Sequence, residues 1–229
     1  MEDLKKSFKP MLIFISYFIY QYFQAIPLAL LGIDYNSLPL NLKVIYLLAY
    51  ELVYIIIIIF LYKETFKNNI KDFIKNIEYY LHEYPKYWAF AFFLMMVSNV
   101  FILLLFPNST ATNQENINLI FNKAPAYIII SSALFAPLIE ESIFRLSLRK
   151  IFKTDTLFII MSGFAFGAMH VVSSFESFSD LIYIITYSIP GFVFAYTLVK
   201  SENIFVPISL HMFHNTLTVI MQIILLILT

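Results

Sequence analysis

The sequence contains no cysteine, which removes disulfides, thiol nucleophiles and thiolate metal ligands together. Glycine is scarce, with four residues in the chain, and no phosphate-binding glycine loop or Gly-x-Ser-x-Gly nucleophile turn occurs. Charged residues amount to 13% of the chain, and Lys+Arg and Asp+Glu balance at 15 each. Soluble domains carry about 25% charged residues, so this chain lacks the polar surface that a soluble fold of its size needs. A formal net charge of zero gives no basis for a nucleic-acid partner. Internal repeats and low-complexity tracts are absent as well.

What remains is apolar. Hydrophobic residues make up 60% of the chain and aromatics 18%, and the mean hydropathy is strongly positive. Rings in this number suit membrane interfaces. The sequence therefore predicts an all-α polytopic transmembrane bundle embedded in a lipid bilayer. Heavy use of Ile, Asn, Lys, Tyr and Phe resembles an AT-rich bacterial coding bias and points to a bacterial cell membrane. Apolar runs of about 20 residues, enough for helical spans, fall near 11–31, 43–62, 86–106, 126–150, 156–173, 180–199 and 205–228, about seven spans. The first run follows Lys5, Lys6 and Lys9; its length and the lack of a small-residue cleavage site mark a retained span.

Lysine and arginine in the connections set the orientation. Lys5, Lys6 and Lys9 precede the first span, Lys63, Lys67, Lys71 and Lys75 follow the second, and Arg149, Lys150 and Lys153 follow the fourth. Lys200 follows the sixth, whereas the alternate connections hold only Lys43 and Lys123. Seven spans then put the N-terminus in the cytoplasm and the C-terminus outside. Between the second and third spans, Phe66, Ile70, Phe73, Ile74, Ile77 and Leu81 recur at helical spacing among lysines, predicting an amphipathic helix on the cytoplasmic surface. The stretch "PNSTATNQENINLIFNKAP" reads as a polar, flexible loop.

Charges inside spans cost roughly 2.5–3.5 kcal/mol each on insertion scales, so they tend to face the interior and carry function. All five aspartates (Asp3, Asp34, Asp72, Asp155, Asp180) fall in or beside connections, which excludes an intramembrane aspartyl dyad. "HEYPK" at His82 starts like a His-Glu-x-x-His zinc motif but ends on Lys86. The buried-span acids are Glu51, Glu140 and Glu141, and His170, His211 and His214 lie in or near spans. Carboxylate and imidazole are the chemistry available.

Within "LIEESIFRLSL", Glu141 and Arg145 are four apart and share a helical face, so they can pair. Glu140 points about 100° away and lacks a partner at i+4, where Phe144 sits. Counted from the cytoplasmic ends, Glu140 lies roughly 15 Å deep, His170 roughly 20 Å, His211 roughly 10 Å and Asn215 roughly 15 Å. These groups can meet at one level of the bilayer. There a carboxylate and an imidazole could take a proton from water for attack on a carbonyl, with a second His and an Asn amide as oxyanion donors. Alternatively Glu140, His170 and His211 form a two-His, one-Glu set suited to catalytic zinc. His214 borders the set or hydrogen-bonds within the bundle. Glu51 either lines the cavity, which is expected to open toward the cytoplasmic half, or pairs with Arg149. Phe166 reads as packing, and Gly163 and Gly167 as a close-packing helix surface.

Together Glu140-Glu141-x-x-x-Arg145, Phe166-x-x-x-His170 and His211-x-x-x-Asn215 resemble the motifs of the CAAX protease and bacteriocin-processing family of intramembrane proteases, also called the Abi family. The resemblance runs from about Pro125 to Asn215. It implies a catalytic core of four helices in residues 125–229, preceded by N-terminal helices in 1–124. It implies water activation by Glu140 and His170, oxyanion stabilisation or metal binding by His211 and Asn215, and a supporting role for Glu141 and Arg145. The implied substrate is a membrane-associated peptide or lipidated protein tail; roles in bacteriocin immunity, peptide maturation or signalling occur among members. Competing readings are a non-catalytic immunity or scaffold protein and a proton-coupled transporter. The latter is disfavoured because no paired half-helices or inverted repeat is visible.

Overall fold

A computed structural model describes residues 2–107 and 109–228, without side-chain surroundings for 2–6, 225 and 226. Asp3, Lys5 and Lys6 therefore lie outside the described side chains. No strand occurs among the described residues, as lipid demands of a chain that satisfies its backbone within each segment. Five described helical stretches are long and apolar enough to cross a membrane: Leu40–Leu61, Ile77–Leu105, Pro125–Ile151, Asp155–Val172 and Phe178–Ser201. They match the second to sixth expected spans. The chain is an integral membrane protein.

The first expected span is displaced. Helix α1 runs Glu2–Tyr22 and stops, and a separate short helix α2 covers Ile26–Leu30. Pro27 sits in the first turn of α2, where its missing N–H costs nothing, and it prevents one continuous helix across 22–30. Ile13 and Tyr17 of α1 are buried against Phe144 in the middle of the fold. Helix α3, Leu40–Leu61, is the second span. The lysine-rich connector forms two helices, α4 (Lys63–Lys75) and α5 (Ile77–Glu83), with a break at Asn76. Phe66 is buried while Ile74 and Leu81 stay exposed. Helix α4 docks onto the bundle: Asn203 Nδ2 donates to the Asn69 carbonyl and to Asp72 Oδ2, both at 2.8 Å.

Helix α6, Pro85–Leu105, follows. The expected flexible loop then proves to hold a helix, α7, Thr112–Lys123. Ile117 and Phe121, four apart, give this otherwise polar stretch an apolar edge that packs with Ile128 and Val219. The fourth expected span divides into α8 (Pro125–Ile130), α9 (Ala136–Glu141) and α10 (Leu148–Ile151), separated by wider π-helical turns. Helix α11, Asp155–Val172, and helix α12, Tyr183–Ser201, pack at very short range. A Cβ on Gly191 would stand 2.8 Å from the Gly163 carbonyl oxygen, and one on Gly167 would stand 2.7 Å from the Ile184 carbonyl oxygen. The two glycines read from the sequence are thus the contact surface, with Gly191 as its complement. Helix α13, Phe205–Leu228, closes the bundle. One apolar cluster joins Ile13, Tyr54 and Ile58 to Ile143, Phe158 and Ile208, so both halves of the chain share a core.

Candidate active site

The carboxylates occupy a helix that leaves α geometry on both sides. Residues Ser131–Phe135 and Ser142–Ser147 are π-helical and bracket α9, and such turns are frequent at functional sites. Pro137 accounts for the first. The Ala136 N–H bonds to the Ser131 carbonyl, five residues back. In that pattern the Ser132 carbonyl would take its bond from residue 137, but proline has no N–H to give. The Ser132 oxygen instead accepts from Asn215 Nδ2 at 2.8 Å. A proline on one helix thereby fixes an amide on another.

The expected Glu141–Arg145 pair is present and fully buried, both residues being 0% exposed. Arg145 Nε lies 2.8 Å from Glu141 Oε2 and Nη2 lies 3.2 Å from Oε1. Arg145 Nη1 also donates to Ser162 Oγ at 3.0 Å, and the guanidinium lies 4.9 Å from the Phe166 ring centre, close enough for a cation–π contact. Phe166 is thus more than filler. Glu141 Oε1, already an acceptor from Arg145, also contacts His211 Nδ1 at 2.9 Å, so the imidazole is the donor there. The pair therefore orients a histidine, a role that spacing on one helix cannot reveal.

His170 Nδ1 lies 2.9 Å from the Phe166 carbonyl, which can only accept, so Nδ1 carries the proton. In the neutral form both imidazoles then offer Nε2 lone pairs toward Glu140. His170 Nε2 is 4.0 Å and His211 Nε2 3.9 Å from Glu140 Oε2, and that oxygen is buried with no hydrogen-bond partner. The rings are held by stacking, His170 on Tyr187 at 5.1 Å and His211 on Phe194 at 4.9 Å.

Each imidazole Nε2 stands about 4 Å from the Glu140 oxygen as acceptor to acceptor, and such a pair calls for a donor between them. Hydrogen bonds of about 2.8 Å meeting near a right angle span about 4 Å, so one water fits. A zinc ion fits less well: donors at about 2.0–2.2 Å in a tetrahedral shell stand about 3.3–3.5 Å apart. Among the described residues no group of three or more His, Asp or Glu side chains is placed to hold a metal ion. The donor types suit zinc, but their spacing as placed does not.

Glu140, His170, His211, His214 and Asn215 all line one cavity of about 760 Å³. His214 sits in its wall, its Nδ1 accepting from Trp88 Nε1 at 3.3 Å. Glu51 does not pair with Arg149, which binds Asp155 Oδ1 at 2.5 Å in the α10–α11 connection. Glu51 sits midway along α3 against residues 127 and 131, whereas Arg149 lies in α10 at one end of the bundle, a separation that spacing on two helices did not reveal. Instead Glu51 Oε1 accepts from Tyr127 and Ser131, both at 2.8 Å, and those two residues line the cavity. Tyr17, Tyr127, Ser131 and Tyr187 were not legible as site residues, since hydroxyls on apolar helices carry no spacing signal. The cavity also reaches Gln114, Asn118 and Gln222, toward α7 and the end of α13. Its mouth is therefore on the face away from the lysine-rich connections.

Residues 122–217 match the family described as "Type II CAAX prenyl endopeptidase Rce1-like". Over 172 residues the chain is 31% identical to a Bacillus subtilis (strain 168) protein named "Putative membrane peptidase YdiL", an alignment that covers 70% of this chain and 62% of that protein. No solved structure matches the chain. Glu140, His170, His211 and Asn215 all fall inside the matched stretch, and both comparisons support the CAAX protease and bacteriocin-processing family.

Proposed function

We propose that the protein is an intramembrane endopeptidase that hydrolyses a peptide bond in a membrane-associated peptide or protein. The observation that carries this reading is the unpartnered, buried Glu140 Oε2, about 4 Å from two imidazole nitrogens in the wall of a cavity. Water held there gives one proton to the Glu140 carboxylate while its remaining O–H donates a hydrogen bond to His170 Nε2, which aims the oxygen at the scissile carbonyl. The new O–C bond forms as the carbonyl π pair moves onto its oxygen. Asn215 spends one N–H on Ser132 and has a second for that oxyanion. His211, its Nδ1–H held by Glu141, supplies another donor through Nε2 in its protonated form. The proton on Glu140 then passes to the leaving nitrogen as the C–N bond breaks.

Glu140→Gln and His170→Ala test this directly. Membranes from cells producing wild type or variant are incubated in H₂¹⁸O, and new peptide C-termini are sought by mass spectrometry. Termini carrying ¹⁸O with the wild type and absent with both variants are expected; equal release by wild type and Glu140→Gln refutes the proposal. The water reading requires no metal, so cleavage should survive chelation. Stoichiometric zinc in the purified protein, with activity lost on chelation and restored by zinc, would replace it with a metal-bound water.

A further inference from the structure

The connections sort onto two faces. Lys9 reaches the Leu61 carbonyl at 3.4 Å, Lys150 lies 4.8 Å from the Tyr62 ring centre, and the α12–α13 link bonds to α4 through Asn203. These contacts put the N-terminal part of α1, the α4 segment, α10 and the α12–α13 link on one face. On the other, Ser109 meets Tyr183 at 3.1 Å, Thr112 donates to Asp180 at 3.1 Å, and Gln222 bonds Asn118. The first face carries the lysines of α4 together with Arg149, Lys150 and Lys200, while the second carries Lys123 and, across on α3, Lys43. A lysine and arginine excess marks the cytoplasmic side.

The cavity leads to the second face. Gln114 and Asn118 of α7 and Thr218 of α13 are exposed residues in its lining, and no described residue of α4, α5 or α10 takes part. Its described lining also contains no lysine or arginine. A free carboxyl terminus would find no cation there and would meet the acidic Glu140 at the end of the path.

We infer that the site takes an internal, membrane-proximal peptide segment from the extracytoplasmic side, not a free carboxyl terminus presented from the cytoplasm. Hydrolysis of that segment rests on the proposed peptidase activity; the direction of access does not. Substrates of this class are exported or outward-facing membrane peptides. They would enter where α6, α7 and α13 border the cavity, past the amides and hydroxyl of Asn99, Gln114 and Thr218.

The cysteine-free chain makes the test clean. Gln114→Cys on α7, Thr218→Cys in the cavity wall and Lys71→Cys on α4 are exposed positions outside the proposed catalytic groups. Each is produced in cells and treated with a membrane-impermeant maleimide, before and after lysis. Variants that do not accumulate at the wild-type level are replaced by Asn118→Cys for either mouth position and Lys67→Cys for Lys71. Gln114→Cys and Thr218→Cys should label as fully in intact cells as after lysis, and Lys71→Cys should label only after lysis. The reverse pattern overturns the orientation. Labelling of Gln114→Cys but not Thr218→Cys in intact cells overturns access through this mouth. Because labelling needs no turnover, a failure of the peptidase reading would show separately, in the Glu140→Gln comparison.

Discussion

Arg145→Met isolates what the buried charge pair does. Methionine keeps much of the side-chain volume but removes the cation from Glu141, which would retain only the His211 Nδ1–H at 2.9 Å. Both members of the pair are 0% exposed, so neither bulk water nor lipid headgroups can replace the lost partner. Removing one member of such a pair costs about 3–5 kcal/mol, because the remaining charge stays buried. The double variant Glu141→Gln/Arg145→Met removes both charges, and its Gln oxygen can still accept from His211. It should recover about 2–3 kcal/mol of the single-variant loss, within the range of coupling between contacting residues. Equilibrium unfolding in mixed micelles can be followed by the single tryptophan, Trp88, which packs against His214 across the bundle. An Arg145→Met variant within about 1 kcal/mol of wild type, below the cost expected for an orphaned buried charge, would refute the reasoning. A double variant as unstable as the sum of its singles would refute it equally.

Further predictions follow from the geometry. Pro137→Ala restores an N–H that competes for the Ser132 carbonyl; peptide hydrolysis should fall about tenfold, the worth of one displaced hydrogen bond, and the loss should not add to that of Asn215→Ala in steady-state assays. Glu51→Gln keeps an acceptor for Tyr127 and Ser131 and should cost less than about 1 kcal/mol, whereas Glu51→Leu strands two hydroxyls at about 1–3 kcal/mol each, as thermal unfolding in detergent will show. Gly191→Ala drives a methyl onto the Gly163 backbone and should destabilise the α11–α12 crossing by about 1–3 kcal/mol in the same assay. Hydrogen bonds from Tyr80 and Asn203 hold the Asp72 carboxyl below its ordinary value. A depressed folded value means this contribution is present above the unfolded pKa and disappears as pH falls through the folded one; amide exchange in α4 should therefore accelerate below about pH 4 in wild type and show no such step in Asp72→Asn.

Much of the site was legible because charge is so costly in an apolar chain. Once five aspartates are assigned to connections, Glu140, Glu141, Arg145 and the histidines stand out without any tertiary information, and the i,i+4 spacing already pairs Glu141 with Arg145. Helix α7 escaped because its apolar edge is short and set among amides, and the π turns escaped because periodicity cannot register one extra residue per turn. The Glu51 partnership was misread for a related reason: a buried acid announces itself, but its hydroxyl partners do not.

Composition and spacing alone establish an all-helical membrane chain with two glutamates, two imidazoles and an amide at similar depth, since helical rise converts residue number into depth. They cannot say how the helices are rotated about their axes. That rotation turns Glu141 toward His211, aims both Nε2 atoms at Glu140 Oε2 and leaves the cavity open toward α7. It follows from packing between helices distant in sequence: the glycine contact of α11 with α12, the Pro137 turn under Asn215, and the α1 aromatics against Phe144.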